Sequence, residues 1–168
     1  MADAKISIMR TLRHEDSRLE GKVTRDTGGL TKWGISQKTY KTLDIRNLSL
    51  EKAIEIYKKD YFCKMNLDKI KSQEIADNIF DFGVNAGVKK SLEIANQTAL
   101  FVLETDKVYN VINNSVNIFN QIDEKKFVNL FVTFRKNYYI NLVEKNKTKY
   151  SKYLKGWLNR AESYLIEE

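Results

Sequence analysis

Glu15, Asp26 and Thr31 follow one another at spacings of eleven and five residues. These are the residue types that cleavage of a glycosidic bond requires. One carboxylic acid must protonate the leaving oxygen, and a second carboxylate commonly activates water or stabilises positive charge at the sugar carbon. Glu15, packed by the apolar face of its own helix, is placed to stay protonated and act as the acid. Asp26, in a wetter stretch beside Gly28 and Gly29, would remain ionised, and the Thr31 hydroxyl can hold a water. The two glycines let backbone approach a sugar closely. Trp33 can contribute an aromatic surface partly exposed to a cleft, and Asn85, which interrupts an apolar helix, can bind sugar polar groups. Each has a plainer reading as well: solvated acids, an Asx turn before Gly-Gly, a hydroxyl bonded to backbone, a core aromatic, and an amide tying helix to loop.

The elements that must position these residues are mainly helical. Ile6, Met9 and Leu12 recur at a helical period and predict a helix over residues 4–15, with acids where the dipole favours cations. Residues 17–36 lack that period, hold four of the seven glycines counted from Gly21 to Gly34, and predict an irregular loop or small hairpin. Ser49, Ser72 and Asp123 are candidate caps for helices running to about Cys63, through Val84, and through Leu142. Further helices are expected over Lys89 to Leu103, residues 107–119 and Tyr150 to Leu165.

Composition narrows the function. The 168 residues, with no Pro and 7 Gly, suit one compact mainly α domain better than a many-turned β-sandwich. The single Cys and single His cannot form an internal disulfide and leave little for zinc, so no cofactor or metal is expected, and Cys63 reads as a buried structural thiol. The phosphate-loop, dinucleotide and serine-hydrolase glycine signatures are missing. The net charge of +7 is spread along the chain, +3 in residues 1–84 and +4 in 85–168, which favours polyanions without choosing among them. No stretch approaches a membrane span, and Met1-Ala2-Asp3-Ala4-Lys5 leads into charged sequence, so cytoplasmic synthesis without a signal peptide is the expectation.

The run His14-Glu15 through Asp26-Thr27-Gly28-Gly29-Leu30-Thr31-Lys32-Trp33-Gly34-Ile35-Ser36 resembles the N-terminal signature of glycoside hydrolase family 108, lysozyme-like N-acetylmuramidases that include phage endolysins and secretion activators. Ala53 to Tyr61, Phe80-Asp81-Phe82-Gly83-Val84-Asn85-Ala86-Gly87 and Gly156-Trp157-Leu158-Asn159-Arg160 resemble further blocks of that family in the same order. The resemblance implies a lysozyme-like helical domain with a small loop or β-hairpin carrying the active site. It divides the chain into a catalytic part, 1–88, and a helical part, 89–168, described in relatives as peptidoglycan-binding, packed as one unit. It implies hydrolysis of the β-1,4 bond between N-acetylmuramic acid and N-acetylglucosamine, with Glu15 in the role of the family's essential acid. Glu15 is followed by Asp16-Ser17 where the family has two glycines, and Glu20-Gly21 offers a competing alignment. The order Glu, Asp, Thr also looks like the triad of phage-type lysozymes. The partners the resemblance implies are peptidoglycan glycan strands, reached after holin-type or other release to the wall, by a monomer that neither binds nucleic acid nor inserts stably into membrane. A catalytically inactive wall-binding relative and a basic nucleic-acid-binding helical protein are the competing classes.

Overall fold

The computed structural model describes residues 1–16, 18–26, 29–104 and 115–167, with backbone alone at Glu15, Asp26 and Ser115. Helix α1 (Ala4–Glu15) is followed by a three-stranded antiparallel sheet of β1 (Thr24–Asp26), β2 (Gly29–Lys32) and β3 (Ile35–Ser36). Then come α2 (Leu50–Tyr57), α3 (Gln73–Ala86), α4 (Val88–Val102), the short α5 (Ser115–Phe119), α6 (Glu124–Lys145) and α7 (Lys147–Glu162). The expected caps are present. Ser49, Ser72 and Asp123 accept from the backbone N–H groups of Lys52, Ile75 and Lys126 at 3.2, 3.0 and 2.7 Å. Each satisfies a donor that the first helical turn leaves without a partner.

The helix expected to run from Ser49 to Cys63 changes character partway. After Tyr57 it loosens into one π turn, Lys58–Phe62, and then tightens into 3-10 turns at Cys63–Met65 and Leu67–Lys69. The change of pitch brings Phe62, Met65 and Leu67 into the core and leaves Cys63 outside. Cys63 is exposed, which corrects the expectation of a buried thiol. The last helix spans Lys147–Glu162, beginning three residues earlier than expected, because Asn146 caps it by accepting from the Lys149 N–H at 3.1 Å. Of the helix expected over 107–119, residues 107–114 lie outside the described residues.

Among the described residues one large core joins the helices, and Val132, Ala161 and Tyr164 form a second, smaller buried cluster. Ile8 and Leu12 of α1, Ile75, Ile79, Phe80 and Phe82 of α3, Ala95 and Ala99 of α4, and Phe127, Val128 and Phe131 of α6 belong to the large core. α3 is its axis, touching α1, α4 and α6. Within this apolar body α1 and α3 are joined by polar rungs. Gln73 bonds the backbone of Asp3, Ser7 Oγ donates to Asp77 at 2.5 Å, and Thr11 Oγ1 donates to Asp81 at 3.1 Å. Each rung joins residues seventy apart. The rungs recur every four residues on both helices, so α1 and α3 run in the same direction in fixed register.

The Asp81 rung is the most heavily bonded. The Asp81 carboxylate, with no exposed surface, accepts from Arg135 Nη2 of α6 at 2.5 Å and from Arg160 Nη2 of α7 at 2.7 Å. Arg135 is equally buried and lies over the rings of Phe82, Tyr139 and Tyr164. Burial alone would push the Asp81 carboxyl up. The guanidiniums of Arg135 and Arg160 overcome this and hold it down, to about 2. As the pH falls, the unfolded chain therefore takes up this proton before the folded one does. The resulting stabilisation is fully present at neutral pH and is lost between about pH 4 and pH 2. Asp81→Asn, which leaves two buried guanidiniums without their anion, should cost about 3–5 kcal/mol in urea unfolding at pH 7. The difference from wild type should shrink as the pH falls through that window, and equal unfolding midpoints at pH 7 would refute the clamp.

Candidate active site

The site is organised around the end of α1. His14 lines an open groove of about 570 Å³ together with Asn85, Gly156, Trp157, Asn159, Arg160 and Ser163. Asp16 lines another, of about 270 Å³, with Leu12, Glu20, Lys22, Thr24, Thr31, Lys32, Trp33 and Gly34. Glu15, the last helical residue, thus stands in the chain between a residue of one groove and a residue of the other. The first groove is walled by α3 and α7, the second by the sheet and the loop that leads into it.

Asp16 explains the acid at a helix end that the dipole disfavours. Its N–H closes the helix on Leu12 O at 2.9 Å, and its carboxylate accepts from the Gly21 N–H at 2.8 Å. The Gly21 N–H, with those of Glu20, Arg18 and Leu19, holds the Asp16 carboxyl below the usual range. The residue is a loop organiser. Gly21 is fixed by the same turn: its φ is +66°, and a Cβ there would lie 2.3 Å from Trp33 Cζ2. Only glycine fits. Glu20, the competing candidate for the acid, is exposed in the second groove, and its contact with Arg18 is a long surface pair at 3.7 Å.

In the sheet, Thr24 pairs with Thr31 and Asp26 with Gly29, while Thr31 also pairs with Ser36. Thr31 lines the second groove beside Thr24. Asp26 ends β1 two positions further on. Gly29, at φ +94°, faces Gln37, whose amide binds the carbonyls of Tyr40, Lys41 and Leu43 and so holds the segment after the sheet. Gly28 lies outside the described residues.

Trp33 is only 8% exposed. Its indole N–H donates to Leu48 O at 3.4 Å, its carbonyl accepts from Tyr57 O–H at 2.9 Å, and Gly21 abuts its ring. It forms a wall of the groove, too enclosed for the stacking face suggested by its residue type. Asn85 is exposed on the last turn of α3, lines the first groove, and its Oδ1 accepts from the Tyr139 hydroxyl at 2.8 Å. His14 packs against Tyr164, with ring centroids 5.6 Å apart, and its Nε2 lies 3.4 Å from Ser163 Oγ. Burial pushes the His14 ring down, and Arg160, Arg135 and Arg10 add to this against the opposing pull of Asp81. Among the described residues no group of three or more His, Cys, Asp or Glu could hold a metal ion. No helix among them is long and apolar enough to cross a membrane.

Asp81 interrupts an apolar stripe of α3, and nothing read from the sequence had paired it with Arg135 and Arg160. The signal was available, because a buried carboxylate in such a stripe demands cationic partners, and Arg135 interrupts the apolar face of α6 in the same way. The Tyr139 hydroxyl behind Asn85 carried no comparable signal.

A mainly α chain with a small three-stranded sheet after its first helix, and open grooves lined from His14 and from Asp16 at the end of that helix, is a lysozyme-like arrangement. The structure of SagA from Brucella abortus shares the fold, with a TM-score of 0.67 over 95% of this chain and 92% of that one, at 19% sequence identity. A search of curated proteins finds no match. Residues 10–87, from within α1 to the glycine after α3, match the model of the Glycosyl hydrolase 108 family. The matched segment contains Glu15, Asp26, Thr31 and Asn85, whereas the block at Gly156–Arg160 lies beyond it.

Replacing Gly21 by Ala tests how the loop is held. A side chain at this positive φ costs about 1–2 kcal/mol before any clash with Trp33 is counted. Gly21→Ala should therefore lower the urea midpoint and expose the loop to limited proteolysis, and a variant as stable and protected as wild type would show that the loop does not pack on Trp33.

Proposed function

We propose that the protein is a peptidoglycan hydrolase of the N-acetylmuramidase type, cleaving the β-1,4 bond between N-acetylmuramic acid and N-acetylglucosamine. The observation that carries this reading is the position of Glu15 at the end of α1, between the residues of two grooves and within the segment that matches a glycoside hydrolase family. A glycan lying across that end would place a glycosidic oxygen beside the acid and sugar rings on either side. Glu15 donates the proton to the leaving oxygen. Asp26 and Thr31, from the paired strands β1 and β2, place the water or stabilise the positive charge on the sugar. Glu15 is preferred to Glu20 because the helix fixes its backbone, whereas Glu20 is an exposed side chain on the loop. Precise placement is what proton transfer requires. No cofactor enters the reaction, and the dispersed positive charge favours approach to an anionic wall.

The test is release of reducing ends from purified peptidoglycan. Glu15→Gln keeps the shape of the side chain and removes its titrating proton. It should lower the rate by at least about 100-fold, the scale of a lost general acid, with the circular dichroism melt unchanged. Glu20→Gln should retain most activity; the reverse pattern would move the acid to Glu20. A wild-type protein that binds the wall and releases no reducing ends would instead be an inactive binding relative.

A further inference from the structure

The rungs between α1 and α3 join Asp3 to Gln73, Ser7 to Asp77 and Thr11 to Asp81, each pair seventy residues apart. One more step of four residues on both helices reaches Glu15 and Asn85. The register of two helices running side by side thus places the backbone of Asn85 level with that of the proposed acid, and Asn85 is exposed in the groove.

The orientation of its amide follows from a chain of donors and acceptors. Arg135 is cationic and can only donate, and its Nε–H is directed at the Tyr139 oxygen at 3.3 Å. The Tyr139 hydroxyl keeps its own hydrogen, which it gives to the Asn85 side chain at 2.8 Å. The amide atom that meets it must be an acceptor, so Oδ1 faces Tyr139 and the Nδ2 hydrogens are left for the groove. Arg135 cannot turn away, because its Nη2 is held by Asp81 and its guanidinium lies over three aromatic rings.

We propose that Asn85 is a specificity-determining residue that presents a fixed N–H donor to the sugar at the scissile bond, and that Tyr139 is the positioning residue that fixes it. The inference rests on the reading of this groove as the glycan site. A donor held there recognises an acceptor oxygen, such as the carbonyl of a 2-acetamido group. It is mismatched to the ammonium of a de-N-acetylated amino sugar, which offers only donors. The site would therefore prefer N-acetylated glycan.

The measurement is the ratio of kcat/KM on N-acetylated peptidoglycan to that on the same wall after chemical de-N-acetylation. Tyr139→Phe keeps the ring and its packing on Trp157 but lets the amide turn, and should reduce the ratio about threefold to tenfold, the scale of one hydrogen bond. Asn85→Asp, at an exposed position where folding is not at stake, replaces the donor by an acceptor and should reduce the ratio further. General loosening of the fold would lower both rates and leave the ratio unmoved. An unchanged ratio in both variants, or a shift only in the acidic limb of the pH profile, overturns the inference while leaving the hydrolase reading intact. Absence of reducing-end release by the wild type on either wall removes the hydrolase reading itself.

Discussion

The carboxylate of Asp81 is the point on which the rest of the fold turns. It sits in the middle of α3 and is held by Thr11 of α1, Arg135 of α6 and Arg160 of α7, so one buried anion joins four helices drawn from both ends of the chain. A carboxylate without exposed surface is tolerable only with its charge and lone pairs satisfied. Its geometry consequently admits few alternatives. An apolar side chain there could pack against the same helices, but it would not distinguish one sliding register of α1 on α3 from another. The regular rungs at Asp3, Ser7 and Thr11 make that distinction at every turn.

Fixing α1 against α3 also fixes what stands at the end of α1. The proposed acid gains its place from a helix clamped along its length, whereas the loop that follows is held by a single residue type at each of two points. Asp16 gathers backbone N–H groups, and Gly21 lets the turn lie against Trp33. The two sides of the site thus have different rigidity by construction. The first groove is lined by side chains from clamped helices, while the second is lined by a three-stranded sheet whose longest strand has four residues. Adaptation to glycan is more easily accommodated on the sheet side, and fixed polar groups are more easily kept on the helical side.

How much of this was legible in the sequence depended on whether the determining interaction was local. The caps at Ser49, Ser72 and Asp123, the first helix and the hairpin region were legible because each is decided by neighbours in the chain. Asp81 was visible as an anomaly in an apolar stripe, but its partners lie 54 and 79 residues away. Periodicity cannot choose between Arg135, Arg160 and the many exposed cations. Cys63 was misjudged because the helical period was carried through a segment where the backbone passes from α to π to 3-10 geometry, and each change of pitch rotates the following side chains. The order of Glu15, Asp26 and Thr31 was readable, yet the two grooves lined from His14 and from Asp16 were not, since α7 lines one of them from the far end of the chain.

The two tryptophans show how the same residue type is put to different use by its surroundings. Trp33 is enclosed by Gly21, Leu48 and Tyr57 and serves as structure. Trp157 lines the first groove and is stacked between Tyr139 and Tyr153, at centroid distances of 5.0 and 5.5 Å. That stack begins at the residue that binds both Arg135 and Asn85 and ends at an exposed ring on α7. The aromatic wall of the groove and the orientation of its amide are therefore set by one side chain, Tyr139, whose ring supports the wall while its hydroxyl turns the amide. Because that hydroxyl also takes the Arg135 N–H, the electrostatic clamp that holds the helices together also determines which face of Asn85 the groove presents.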